Sequence, residues 1–129
     1  METAGRTLAD YLNNRLNDQL QTVVTYGADS RTIVFVRSDL HESIPSNTVF
    51  EVIDLARESH DNLREVSTSD LSTGEARFSV HAFEHTLILH ILGGTGGIVI
   101  AFEPDVGRGL IEFVNDCLEE IELAPLDVS

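Results

Sequence analysis

ARFSVHAFEHTLILHILGGTGGIVIAFE, residues Ala76–Glu103, decides the fold of this chain. The Glu84-His85 pair and the Gly93–Gly97 cluster divide it into three β-forming runs. A strand with one solvated face alternates apolar and polar residues, whereas a strand covered on both faces is apolar throughout. The run from Ala76 to Phe83 alternates, with Phe78, Val80 and Ala82 set against Arg77, Ser79 and His81. It is expected at an edge. The runs Thr86–Leu92 and Ile98–Phe102 are almost continuously apolar and rich in β-branched residues, as central strands are. A turn at Glu84-His85 places Val80 opposite Leu89, Phe78 opposite Ile91, Ser79 opposite His90 and His81 opposite Ile88. Both faces of such a sheet need covering helices.

Working outward, Leu8, Tyr11, Leu12, Leu16 and Leu20 recur at helical spacing and predict a first helix over about Thr7–Gln21, with Thr7 as its cap. Two β-rich runs then flank Gly27-Ala28-Asp29-Ser30, a hairpin signal that predicts strands at Thr22–Tyr26 and Thr32–Arg37. SDLHESIPS reads as a polar passage. Ser46, Asn47 or Thr48 can cap a second helix that carries Val49, Ile53 and Ala56 to about Ser59. The segment from His60 to Gly74 is polar, with Leu63, Val66 and Leu71 as isolated anchors, and reads as a mobile connection. Beyond the three strands, Pro104 and Asp105 are expected to open a last helix, whose buried stripe is Leu110, Phe113, Val114, Cys117 and Ile121. The tail from Leu123 is expected to fray.

The 129 residues suit one domain, and 42% hydrophobic content is enough for a core. The charge is the sharper signal. Asp and Glu number 22 against 8 basic residues, every one of them arginine, giving a formal net charge of −14. Such a surface repels nucleic-acid phosphates and anionic headgroups, so neither nucleic acid nor a membrane surface is an expected partner. Acidic excess without lysine fits a salt-rich cytoplasm, because a Debye length of about 3 Å at 1 M screens the repulsion among carboxylates. The opening METAGRTLADYLNN has no apolar run of the kind a signal peptide needs, and no apolar stretch is long enough to span a bilayer. The expected location is the cytoplasm.

The motifs point away from several chemistries. Gly93–Gly97 joins two strands instead of leading into a helix, and a phosphate loop needs a lysine that this chain lacks. His41-Glu42 begins like a zinc-protease motif, but Pro45 stands where the second histidine should be, and no helix is expected there. Cys117, the one cysteine, falls on the apolar stripe of the last helix and reads as a small core residue. His81 and His90 lie diagonally on one face of the hairpin, with His85 at its turn. No cysteine or carboxylate converges on them, so hydrogen bonding is preferred to a metal site. The expectation is no catalytic residue, no metal and no cofactor.

The order helix, two strands, helix, three strands, helix resembles the roadblock-like, profilin-like architecture. That resemblance implies a single α+β domain with a five-stranded antiparallel sheet in the order second, first, fifth, fourth, third. The second helix would cover one face and the first and last helices the other. It also implies a homodimeric platform for a protein partner such as a small GTPase or signalling protein, and the composition is similar to that of small acidic proteins of halophilic archaea. The edge strand's Arg77, Ser79 and His81 are the expected interface residues. PAS and GAF sensory domains share a related sheet, and the alternative is a small ligand held in a pocket near Phe50, Phe78 or Leu89 beneath a lid at 60–74. A small enzyme built on His81 and His90 is a third reading.

Overall fold

The computed structural model describes residues 2–43, 46–67 and 76–123. It is an α+β domain built on one open antiparallel sheet. The strands are β1 (Leu20–Tyr26), β2 (Arg31–Val36), β3 (Phe78–Ala82), β4 (Leu87–Leu92) and β5 (Gly97–Phe102), in the order β2-β1-β5-β4-β3. The helices are α1 (Glu2–Leu16), α2 (Ser38–Ser43), α3 (Ser46–Ser67) and α4 (Leu110–Glu120). The expected order and both expected edges are present. The β3–β4 pairing is also as derived, with Phe78 opposite Ile91, Ser79 opposite His90, Val80 opposite Leu89 and His81 opposite Ile88.

Each face of the sheet has its own covering. On one, Leu8, Leu12 and Leu16 of α1 and Phe113, Val114, Cys117 and Leu118 of α4 pack on Leu20, Val23, Leu89, Ile91, Ile98, Ile100 and Phe102. Side chains fully removed from water each stabilise by about 1.5–3 kcal/mol, and Leu8, Leu12, Ile100 and Phe102 are all fully buried. The Phe102 and Phe113 rings meet edge-on at 5.4 Å. Arg15 ties the two helices together: its guanidinium lies 5.1 Å from the Phe113 ring centre and bonds Asp116 at 2.7 Å. On the other face α3 sets Ile53, with Val49, Phe50 and Ala56, against Val24, Tyr26 and Val99.

Several boundaries differ from the expectation. α1 starts at Glu2, where an acid suits the helix dipole, and stops at Leu16 because Asn17 takes a left-handed backbone (φ 52°) that asparagine tolerates. Leu20 therefore begins β1 instead of extending the stripe. The passage after β2 contains a short helix, α2, so His41 and Glu42 do stand on helical backbone; Pro45 lies outside the described residues. α3 continues to Ser67, well past Ser59. Pro104 and Asp105 open a 3-10 turn, and α4 begins only after Gly109 (φ 64°). The Leu71 anchor and the tail after Leu123 lie outside the described residues.

Candidate functional site

β3 is an edge with one ladder partner among the described residues, β4. The ladder decides which backbone groups it leaves over. The Phe83 N–H donates to the Thr86 carbonyl at 2.8 Å and the Leu92 N–H to the Arg77 carbonyl at 3.0 Å, which fixes these as hydrogen-bonded pairs. Because such pairs alternate along an antiparallel ladder, residues 77, 79, 81 and 83 turn their backbones toward β4. Phe78, Val80 and Ala82 turn theirs outward. Of the expected interface residues, Ser79 and His81 thus offer side chains, not backbone, at this edge. His81 is exposed, while the Ser79 hydroxyl is buried without a hydrogen-bond partner among the described residues.

Within β3 itself there is no gatekeeping charge, although Arg77 and Glu84 bracket the strand. In a chain that is 23% charged, Phe78–Ala82 contains no Asp, Glu, Lys or Arg, and the adjacent Phe83 is 60% exposed. β2, at the opposite edge, is bracketed by arginines held in ion pairs: Arg31 with Asp54, and Arg37 with Asp39 and Glu103. Charges and bulky ion pairs at an edge are how proteins discourage strand addition. α3 presents two further apolar side chains to water, Val52 and Leu55, the second 66% exposed.

Beneath α3 lies a polar centre. The Tyr26 hydroxyl sits 2.6 Å from His90 Nε2 and 3.0 Å from His60 Nδ1, all three residues being buried. The hydroxyl has one proton, so it donates to one ring and accepts an N–H from the other. Burial pushes the His90 pKa down to about 4, helped by His60 and His81, and pushes the Tyr26 phenol up to about 12. His90 and Tyr26 are therefore neutral at pH 7. Gly97 is required here: a Cβ on it would approach the Tyr26 hydroxyl to 2.7 Å and the Ile91 carbonyl to 2.8 Å. Arg57 of α3 closes the same end by donating to the Gly27 and Ser30 carbonyls of the β1–β2 turn.

His90 thus satisfies a hydrogen bond, as expected, but its partner is the Tyr26 hydroxyl, which also meets His60. The sequence placed His60 in a mobile connection. The missed signal is spacing: Val49, Ile53, Ala56, His60 and Leu63 continue one helical stripe, and the polar residues between them are simply the solvated face of α3. No group of three or more His, Cys, Asp or Glu residues able to hold a metal ion is present among the described residues. Cys117 is fully buried, and burial pushes its thiol up to about 12, far from a thiolate.

A cleft of about 450 Å³ opens at the other end of α3, between its first turns and the sheet. Val24, Val49, Val52, Ile88, Val99 and Ala101 are among its lining residues. The pocket residues named from sequence lie elsewhere: strand alternation sends Phe78 and Leu89 to the α1–α4 face, and Phe50 of α3 packs with Ile53. The segment proposed as its lid is helical through Ser67, and 68–75 lies outside the described residues.

No described helix is long and apolar enough to cross a membrane. No curated protein matches the chain. A family profile does match, over residues 6–122, a span that takes in the whole sheet, the polar centre and α4. On that match the chain belongs to the family described as a domain of unknown function, DUF7522.

Proposed function

We propose that this protein is a non-enzymatic interaction module that acts as a homodimer, joined through β3 and offering the assembled surface to a further protein. The observation that carries the reading is the uncharged edge at Phe78–Ala82, which has no ladder partner besides β4 among the described residues. Its outward N–H and C=O groups are an unmade ladder, and an antiparallel twin supplies the matching row about a twofold axis. The body of α3 packs over β1, β2 and β5. Ser79, His81 and Phe83 then meet their counterparts across the axis, and Arg77 flanks it. Val52 and Leu55 remain on α3 for the second protein, whose class, a small GTPase or signalling protein, rests on the roadblock resemblance. A cytoplasmic location accords with the charge and the composition.

Sedimentation equilibrium in 2 M KCl tests this. The chain is expected to dimerise, and Ala82→Pro, which removes one outward N–H and no β3–β4 bond, is expected to weaken the dimer at least about tenfold, the loss of one or two hydrogen bonds. Phe83→Glu should act in the same direction. A wild-type chain that stays monomeric at all concentrations, or a dimer unmoved by both changes, sinks the proposal.

A further inference from the structure

The cleft between α3 and the sheet joins aliphatic side chains to a polar end whose charges cancel. Arg37 and Glu103 both line it, and Arg37 Nη1 donates to the Glu103 carboxylate at 2.9 Å. Arg37 is committed elsewhere as well: Nε and Nη2 donate to Asp39 at 2.6 and 3.1 Å, and Nη1 to the Asp18 carbonyl at 2.7 Å. Asp39 itself does not line the cleft. The arginine holds Glu103 below its ordinary carboxylate range, so the pair is ionised at pH 7 and neutral as a unit. Neither member is left over for a ligand of either sign. What the polar end does offer is an amide. Gln21 is only 9% exposed; its Oε1 accepts from Thr86 Oγ1 at 3.1 Å, and its amide nitrogen hydrogen-bonds the Glu103 carboxylate. The same nitrogen, Nε2, reaches the His85 carbonyl at 3.5 Å, beyond the roughly 2.7–3.2 Å of a well-formed bond. A buried donor and a carbonyl acceptor thus face each other on the lining, each weakly used.

We infer that this cleft binds a small uncharged amphiphile, an apolar chain or ring that lies along Val24, Ile88, Val99 and Ala101 and ends in one hydroxyl or carboxamide. The head accepts from Gln21 Nε2 and donates to the His85 carbonyl, taking up the two weakly used positions. About 450 Å³ falls within the range of small-molecule sites, which are mostly apolar with a few placed polar groups. Removing aliphatic surface from water supplies the driving force. Charge is selected against. A buried ammonium or carboxylate gives up its hydration and meets an ion pair whose members already neutralise each other, so its own charge stays uncompensated. A head that both donates and accepts offsets its desolvation with two hydrogen bonds.

The test is a titration in 2 M KCl at pH 7, followed by amide NMR shifts, with four eight-carbon probes: 1-octanol, its isomer dibutyl ether, octylammonium and octanoate. The ether accepts a hydrogen bond but cannot donate one. Octanol is expected to shift Ile88, Val99 and Ala101 saturably, and to bind about tenfold more tightly than either ion and about fivefold more tightly than the ether. Gln21→Met, which keeps the length of the side chain and removes the amide, should erase the difference between the two isomers. Ala101→Phe, which fills the cleft, should abolish the shifts with far-ultraviolet circular dichroism retained; Thr48→Trp is the second filling variant should the first fail to fold. No saturable shift with octanol, either ion or the ether binding as tightly as octanol, or shifts that survive in a folded filled variant overturns the inference. Repeating the titration on Ala82→Pro keeps the result separate from edge pairing, since Ala82 does not line the cleft.

Discussion

The two faces of this sheet solve the same problem differently. Under α1 and α4 the layer is dense and apolar, from Leu8 and Leu12 to Phe102 and Leu118. Under α3 the apolar patch is small, and Tyr26, His60 and His90 take up the space that aliphatic side chains fill opposite. Apolar packing has no direction, so the α1–α4 face supplies most of the stability while tolerating small shifts. Hydrogen bonds do have direction. The Tyr26 hydroxyl accepts one placement of His60, and this fixes where α3 lies at one end while the other end stays open over the cleft.

Low salt should break the comparison most severely. Below a few tenths molar the carboxylates lose their screening, and the more weakly held layer is expected to give way first. Hydrogen exchange during stepwise desalting should show the amides of α3 exposed before those of α1; equal rates, or an unfolding temperature indifferent to salt, contradict both the unequal faces and the salt-adapted reading. Next in size is Leu12→Ala. A fully buried leucine on the dense face should cost about 3–4 kcal/mol and lower the unfolding temperature by roughly 10 °C or more.

Acid should act on the α3 face alone over a defined window. The folded pKa of His90, about 4, lies below its ordinary 6.5, so between these values the unfolded chain binds a proton that the folded chain refuses. Stability is therefore fully present above about pH 6.5 and falls as pH is lowered toward 4, by on the order of 2–3 kcal/mol in all. Asp39 and Glu103, whose pKa values are lowered from 3.8 and 4.5 by Arg37, add their own loss only at the acid end. Chemical denaturation between pH 6.5 and 5 thus isolates the histidine, and His90→Leu should flatten that part of the curve. The smallest effect is expected for Tyr26→Phe, which leaves ring nitrogens of His60 and His90 without their partner at a cost of about 1–3 kcal/mol. A change below 0.5 kcal/mol would show that the polar centre contributes little to holding α3.

Legibility followed the range of the interactions. The β3–β4 hairpin could be read residue by residue because a two-residue turn and strict alternation leave one register that buries Phe78 and Val80 together with Leu89 and Ile91. The extent of α3 could not, since Glu58, Asp61 and Asn62 look the same on an exposed helix face as in a loop. His60 is 34 positions from Tyr26 and His90 is 64, and no local pattern announces that three such residues will converge. The cleft was hidden for a related reason: its polar end joins Gln21, Arg37, Thr86 and Glu103 from four separate strand ends.

By itself the amino-acid sequence determined the strands, the hairpin pairings, the β3 edge and a surface built of carboxylates, all of which follow from periodicity and composition within short stretches; the full strand order and the β2 edge followed only from the roadblock-like resemblance. Only the tertiary structure decided what lies between α3 and the sheet, a buried tyrosine flanked by two histidines at one end and an open cleft at the other. That layer depends on where a helix comes to rest across the chain, and its position is set by contacts between residues the sequence keeps far apart.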